Sequence, residues 1–190
     1  MEETQIRVVI ESLTDILFDP FFDHSREPRP AEQKFYYGEK NQIMFPAPNI
    51  IAFLFNKKGS SCVNKFEGKK RGDYYAMGMS HIFINPQLIP FKGKDQKPVF
   101  FTDFNDPFYI VRAAPTTKQP GGDFIKQPAK PRPALKMPWS LEFQITLYKN
   151  PLINDVKLRN WFEMGGILIA FGTYRPLFGR FRVKTWEKKN

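Results

Sequence analysis

Glycine and arginine residues recur through the segment 172–182, and their types and spacing suit phosphate binding. Glycine lets a backbone N–H approach an anion closely, and arginine supplies paired donors that match phosphate oxygens. The candidate residues are Gly172, Arg175, Gly179, Arg180 and Arg182. The lysine and hydroxyl pattern of a nucleotide-binding P-loop is absent from the sequence here. Two interpretations stay open: a phosphate-binding loop, or a tight helix-to-strand connection with exposed arginines.

Positive charge is concentrated in three parts of the chain. The formal net charge is +10, and the segments 57–72, 112–136 and 175–190 each hold six cations against one carboxylate. Such segregation predicts a basic surface that faces a polyanion, with nucleic acid favoured. The alternative is that the charge serves solubility or meets acidic proteins.

The first basic segment interleaves its cations with aromatic residues. This pattern suits single-stranded nucleic acid, because cations follow the backbone while rings stack on bases. In the alternative, Phe66 and Tyr74 pin the segment to the core and the lysines are merely solvated. The glycines of 59–79 predict irregular structure. The nucleic-acid candidates are Lys57, Lys58, Lys65, Lys69, Lys70 and Arg71.

Two other segments predict contact with a partner protein. Residues 15–45 are rich in proline and aromatic residues, which indicates a loop folded over the domain or docked on a neighbour. Residues 115–138 are rich in proline and basic, which predicts an extended, mobile arm that grips phosphate or, as favoured, a neighbouring subunit. The partner-binding candidates are Phe21, Phe22, Tyr36, Tyr37, Lys130 and Arg132.

Catalytic and metal-ligating residue types are sparse. His24 and His81 are the two histidines, and no ligand spacing accompanies them, so we expect neither a metal nor another cofactor. A metal-independent ribonuclease that uses one of them stays open. Cys62, the single cysteine, cannot form an internal disulfide and suits a reducing cytoplasm. No run of 18 apolar residues exists, so we expect no membrane contact.

The elements that must position these residues follow the order β-α-β-β-α-β. The pattern predicts an α+β, ferredoxin-like sheet (split βαβ, RRM-like) in a single domain 1–190, with large insertions at 15–45, 59–79 and 115–138. Asn49 and Asn154 are expected helix caps, and the pair Gly165-Gly166 the end of the second helix. The predicted strands are 6–13, 80–84, 108–114 or 139–148, and 180–186, and the predicted helices are 49–57 and 154–164. Residues 99–102 predict a further short strand, and hairpin additions at 99–114 would enlarge the sheet.

The strand, helix, basic glycine loop and final strand of 139–186 resemble the RAMP superfamily, the ferredoxin-like proteins of CRISPR effector complexes. The family favours two Gly-hydrophobic-Gly motifs around a basic spacer of five residues. Here Ala170-Phe171-Gly172 and Gly179-Arg180-Phe181 flank six residues. The resemblance implies RNA-backbone binding, side-by-side assembly and no catalysis; a virus-encoded relative of the same fold fits equally.

We therefore expect a non-catalytic, cytoplasmic subunit that binds single-stranded nucleic acid, with RNA favoured. It would assemble side by side with copies of itself or related subunits, as a homo- or hetero-oligomer. One alternative is a structural protein of a viral particle or large assembly. The other is a metal-independent ribonuclease of RAMP type.

Overall fold

The computed structural model describes residues 2–19, 29–68, 71–113, 116–118, 124–126 and 130–189. The strands are β1 Glu3–Ser12, β2 Ile16–Leu17, β3 Tyr36–Tyr37, β4 Ile43–Pro46, β5 Ile82–Asn85, β6 Leu88–Lys92, β7 Phe108–Ala113, β8 Thr116–Lys118, β9 Phe124–Lys126, β10 Lys130–Leu135, β11 Ser140–Tyr148 and β12 Phe181–Lys189. The helices are α1 Ala47–Phe55, α2 Cys62–Phe66, α3 Arg71–His81 and α4 Asp155–Leu168.

The main sheet is antiparallel and confirms the predicted fold. Its order is β12-β1-β11-β6-β4-β3, and β5 also pairs with β11. Taken as β1-α1-β5-β11-α4-β12, the chain forms the split βαβ arrangement of a ferredoxin-like domain. The third strand of this core is β11. Residues 108–113 of the alternative candidate, 108–114, form β7, which lies in a different sheet.

Alternation along β1 and β11 separates an apolar face from a polar one. Ile6, Val8 and Ile10 lie opposite Ile145, Phe143 and Leu141, and all six are buried. Helices α1 and α4 cover this face, because the Phe53 ring lies 5.6 Å from that of Phe162, and Phe162 lies 5.9 Å from Phe143. The other face of the sheet carries charged side chains joined in ion pairs.

Helix α4 corrects one prediction and confirms another. Asn154 is its cap, since its Oδ1 accepts a hydrogen bond from the Lys157 backbone N–H at 2.8 Å. The helix does not end at Gly165-Gly166 but continues to Leu168. A Cβ atom on Gly165 would lie 2.6 Å from the Phe53 ring. One on Gly166 would lie 2.5 Å from the Phe181 carbonyl oxygen. These glycines therefore permit close packing.

Helix α1 begins two residues before the predicted cap. Pro46 occupies the cap position and Pro48 lies in the first turn, where a missing N–H costs nothing. Asn49 is therefore a helical residue, and the prediction that it caps the helix is wrong.

The described part of the insertion 59–79 is mostly helical, in contrast to the irregular structure expected from its glycines. Ser61 caps α2 by accepting from the Asn64 N–H at 3.3 Å, and α3 follows. Gly78 lets α3 approach α1, because a Cβ atom there would lie 2.3 Å from the Phe55 ring. Close contact between helices thus outweighs the low helix propensity of glycine.

The segment 130–135 is a packed strand, where an arm was expected. β10 is the centre of a second sheet with the order β2-β10-β7, and Ala134 and Leu135 are buried. β7 therefore does not enlarge the main sheet. β8 and β9 pair with each other. Residues 99–102 form no strand, only a bridge between Phe100 and Gln42.

The segment 15–45 is more than a covering loop. It supplies β2 to the second sheet, and β3 and β4 to the main sheet. Phe18 and Phe35 are buried, with ring centroids 5.0 Å apart. Phe21 and Phe22 lie outside the described residues. Among the helices that the structure describes, none is long and apolar enough to span a membrane.

Candidate nucleic-acid interface

A cleft of about 590 Å³ separates α1 from the loop that follows α4. Its lining combines buried apolar side chains with exposed polar ones. Asn49, Ala52 and Asn56 line it from the side of α1, and residues 171–176 line it from the loop. The remaining lining residues are Leu17, Phe18, Asp19, Tyr36, Phe45, Ser60, Leu168 and Ile169.

The wall formed by α1 is a stripe of two asparagines and an alanine on a largely buried helix. Asn49, Ala52 and Asn56 are spaced i, i+3 and i+7, which places them on one face. Ile50 and Phe53 face the core. Sequence reasoning did not assign Asn49 or Asn56 to the site. The available signal was this spacing, which interrupts the apolar circumference of the helix on one side.

The opposite wall is the predicted glycine and arginine loop. Gly172 and Gly179 have φ angles of 74° and 75°, which favour glycine. A Cβ atom on Gly179 would lie 2.0 Å from the Phe171 carbonyl oxygen, and one on Gly172 would lie 2.4 Å from that of Leu17. Both glycines thus allow the loop to approach the chain's own backbone. Gly179 is buried, whereas Gly172 is exposed and lines the cleft.

Asp15 fastens this loop to two other segments. Its carbonyl oxygen accepts from the Gly179 N–H at 2.7 Å, and Oδ1 accepts from the Met137 N–H at 2.9 Å. Oδ2 accepts from the Tyr109 hydroxyl at 2.7 Å. Burial, assisted by this carboxylate, raises the pKa of Tyr109, so its hydroxyl remains a donor. The loop is therefore a fixed wall of the cleft.

The three arginines of the loop have different positions. Arg175 lines the cleft, where partial burial of its side chain lowers its pKa. Arg180 braces the loop, since its Nε donates to the Pro176 carbonyl at 2.7 Å. Arg182 lies on the opposite face of the sheet, 3.2 Å from Glu11. Only the first of these three arginines is brought into the cleft.

An ion cluster lies beside the cleft at Asp19. This carboxylate is 3.1 Å from Lys34 Nζ and 2.9 Å from Arg132 Nε, and both cations are buried. The Arg132 guanidinium also lies 4.7 Å from the centroid of the Tyr174 ring. Arg132, a candidate for partner contact, is thus placed behind the cleft wall, and Lys130 is half-buried at the start of β10.

Lys57 and Lys58 directly follow the cleft residue Asn56 and are exposed. Their turn is held by Asn64, whose Nδ2 donates to the carbonyls of Asn56 at 2.7 Å and Gly59 at 2.6 Å. Asn56 Oδ1 accepts from the Lys58 N–H at 3.0 Å. A fixed turn therefore places both lysines directly after the cleft wall, and Lys57 Nζ lies 5.6 Å from the centroid of the Tyr75 ring.

The other basic residues of the insertion lie outside the cleft lining. Lys65 is exposed on α2 and Arg71 is exposed at the start of α3. Lys69 and Lys70 are outside the described residues.

The aromatic residues of the insertion pack inward. Tyr74 and Tyr75 are buried, and Phe66 is half-buried against the core. The interpretation that these rings stack on bases is therefore wrong for the two tyrosines. Glu67 adds a polar anchor, since it accepts from Lys157 Nζ at 3.0 Å and from Trp161 Nε1 at 2.9 Å.

The two tyrosines expected at a partner interface differ in exposure. Tyr36 is half-buried and lines the cleft, and burial raises its pKa. Tyr37 is exposed, and its hydroxyl donates to the Glu32 carbonyl at 2.7 Å.

Within the described part of the chain, no group of three or more histidine, cysteine or acidic side chains is placed to hold a metal ion. His81 lies at the end of α3, with Nδ1 at 2.7 Å from Ser80 Oγ and 3.2 Å from the Met77 carbonyl. Cys62 is buried, which raises the pKa of its thiol, and Sγ donates to the Trp161 carbonyl at 3.4 Å. His24 lies outside the described residues.

No protein-family model matches the sequence, and no curated protein is found to match it. Among solved structures, a chain from the Type III-B Cmr-beta bound to cognate target RNA is similar to this chain with a TM-score of 0.59 and 13% sequence identity. The likeness covers 98% of this chain and 61% of that chain, so this chain spans about three fifths of its length. At this identity the likeness concerns the fold, and it agrees with an α+β, ferredoxin-like domain.

Proposed function

We propose that this protein is a non-catalytic subunit of a CRISPR-effector-type assembly, related to the RAMP superfamily, that binds single-stranded RNA. The similar chain belongs to a structure described as bound to cognate target RNA, and the likeness extends over 98% of this chain. The basic glycine loop lies between α4 and β12, and this position supports the proposal because the RAMP resemblance implies such a loop before the last strand. These two observations support the same class of ligand.

The observation that carries the proposal is the cleft between α1 and the loop. Arg175 supplies a cation in one wall, and Lys57 and Lys58 supply two more next to the opposite wall. The carboxylate of Asp19 is balanced by two buried cations. The cleft surroundings are therefore positive, as contact with a phosphate backbone requires.

Assembly beside copies of itself or related subunits is part of the proposal. Exposed apolar residues on α4 support it, since an exposed apolar patch on a helix suits a protein contact. They are Val156, Met164 and Ile167, whereas the exposed Leu168 lines the cleft.

Binding of labelled RNA, followed by fluorescence anisotropy, tests the proposal. Three phosphate contacts predict that affinity falls about 20-fold between about 50 and about 200 mM salt. Arg175→Gln should weaken binding several-fold and make the slope of log affinity against log salt shallower by about 0.7. Lys97→Gln removes an exposed cation outside the cleft lining and is the control, with unchanged affinity expected.

Two results would contradict the proposal. One is the absence of RNA binding at low salt, and the other is an equal loss in Arg175→Gln and in the control. The same incubation in chelator, examined on a gel, tests the non-catalytic role. RNA should stay intact, and cleavage would favour the ribonuclease alternative.

A further inference from the structure

We propose that Tyr174 is a stacking platform for one unpaired base, and that Arg132 holds its ring from behind. The inference rests on the proposed RNA-binding function and adds that the cleft recognises an unpaired base as well as phosphate. A platform of this kind requires a base with a free face, so it selects single strands over other polyanions.

Tyr174 stands out among the aromatic residues of the cleft by its exposure. Phe45 and Phe171 stack on each other with ring centroids 4.7 Å apart, and both are buried. Phe18 is also buried, and Tyr36 is half-buried. Tyr174 is 36% exposed. Of the described aromatic residues that line the cleft, it offers the most surface for an incoming ring.

The backbone at Tyr174 indicates that its placement is specific. Its φ angle is 54°, in the left-handed region that a bulky side chain rarely adopts. Backbone hydrogen bonds retain this conformation, since the Tyr174 carbonyl accepts from the N–H groups of Leu177 at 3.1 Å and Phe178 at 3.3 Å. Such strain is concentrated at functional sites when the surroundings enforce it.

Arg132 fixes the plane of the ring. Its guanidinium lies 4.7 Å from the ring centroid, at a distance that suits a cation–π contact. Arg132 is itself buried in β10 and bound to Asp19 at 2.9 Å. A ring held by a fixed cation loses little freedom when a base stacks on it, because its orientation is already set.

The neighbouring residues complete a nucleotide-sized subsite. Arg175 directly follows Tyr174 and supplies a phosphate donor in the same wall. Asn49 and Asn56 line the opposite wall with side-chain amides. One nucleotide would thus stack its base on Tyr174 while its phosphate contacts Arg175.

Two oligomers of about 10 units distinguish stacking from phosphate binding: labelled oligouridylate, and an abasic ribose–phosphate spacer of equal length. Wild-type protein should bind oligouridylate about tenfold more tightly than the spacer. Tyr174→Asn should lose that preference while its affinity for the spacer stays unchanged. Asparagine tolerates the left-handed backbone, so this variant removes the ring without adding strain. Tyr174→Phe should retain the preference.

Two further variants distinguish failure of the stacking inference from failure of the proposed RNA binding. Arg175→Gln should weaken binding to both oligomers equally, and Phe83→Asn, which removes an exposed aromatic residue outside the cleft lining, should change neither. If Tyr174→Asn keeps the preference for uridylate, or weakens both oligomers alike, the stacking platform is refuted while RNA binding survives. If wild-type protein binds neither oligomer, the proposed function itself fails.

A second readout does not depend on a variant that must fold. Oligouridylate that carries 2-aminopurine should lose fluorescence when wild-type protein binds it, because stacking quenches this base. Retained fluorescence in the bound state would overturn the inference.

Discussion

Three glycines of this chain place different demands on the backbone. Gly179 has a φ angle of 75°, and a Cβ atom there would lie 2.0 Å from a carbonyl oxygen. Gly68 has a φ angle of 55° with open space around it. Gly72 lies in α3 with a helical backbone and open space. Alanine variants at these three positions therefore distinguish the cost of a left-handed backbone from the cost of a steric clash.

Alanine at each position should therefore give a graded series of unfolding free energies. Gly72→Ala should stabilise by about 0.5–1 kcal/mol, because alanine is the better helix former. Gly68→Ala should cost about 1–2 kcal/mol through the left-handed backbone alone. Gly179→Ala should cost about 3 kcal/mol or more, because strain and a backbone clash combine.

Urea denaturation of the three variants beside the wild-type protein measures the series. Equal costs at positions 68 and 179 would contradict the proposed close approach between the loop and the Phe171 carbonyl. A loss at position 72 would contradict the described course of α3.

For single residues, the sequence predicted the structure correctly where one local interaction determines the residue's role. The cap at Asn154 was predictable because an asparagine before an amphipathic run has a single strong role. Asn49 looked equivalent, but Pro48 lets α1 begin earlier. Its place in the cleft wall depends on the loop more than 120 residues away, which no local pattern shows.

At the scale of elements, the glycines inside α4 show that close packing can outweigh the low helix propensity of glycine. Gly165 faces Phe53 and Cys62, and a Cβ atom there would lie 2.6 Å from the phenyl ring and 2.7 Å from the sulfur. A helix rarely accepts glycine in its interior without such a contact. The prediction of a helix end at this pair failed for that reason.

Gly165→Ala should therefore destabilise the protein by about 1–3 kcal/mol, although alanine favours an isolated helix. Ile167→Ala, at an exposed position of the same helix, is the matched control and should change stability by less than about 0.5 kcal/mol. Thermal unfolding of both variants measures the difference. A Gly165→Ala protein as stable as the wild type would show that α4 and α1 do not approach so closely.

Long alternating strands were predictable and short irregular ones were not. β1, β11 and β12 carry a period-2 pattern that defines one buried face. β2 has two residues and β10 contains Pro131 and Pro133, which argue against a central strand. β2 pairs only with Ala134 and Leu135, and next to it the Phe18 N–H donates to the Pro133 carbonyl at 3.0 Å, an acceptor that proline still supplies.

At the scale of the whole molecule, two carboxylates tie four strands together on the polar face of the main sheet. Glu142 on β11 binds Lys92 on β6 at 2.6 Å and Arg7 on β1 at 2.8 Å. Glu11 on β1 binds Arg182 and Lys184 on β12. Hydrogen bonds from these cations, chiefly Lys92 and Lys184, lower the pKa of both carboxylates below the ordinary value of 4.5.

A depressed pKa in the folded state fixes the sign of the pH dependence. Glu142 contributes its full stabilisation when the pH is above the ordinary pKa of 4.5. This stabilisation is lost as the pH falls through the lower pKa that Glu142 has in the folded protein. The free energy of unfolding should therefore decline between about pH 5 and about pH 3, and Glu142→Gln should decline less over that range. Glu39→Gln, which changes an exposed carboxylate on a turn, should follow the wild type. Parallel curves for all three proteins would contradict the role of Glu142.

The contacts that join the second sheet to the cleft include the hydrogen bonds of Asp15 and the contact of Arg132 with Tyr174. A genetic screen for loss of RNA binding should therefore recover substitutions at residues that never touch a nucleotide. Asp15→Ala would weaken RNA binding indirectly. The Tyr109 hydroxyl and the Met137 N–H lose their acceptor, so the segment whose Asp15 carbonyl accepts from the loop's Gly179 N–H loses two of its anchors. RNA affinity at one temperature does not distinguish residues that support the loop from residues that contact RNA. Affinity measured together with the melting temperature distinguishes them, because loss of a supporting residue also lowers the melting temperature.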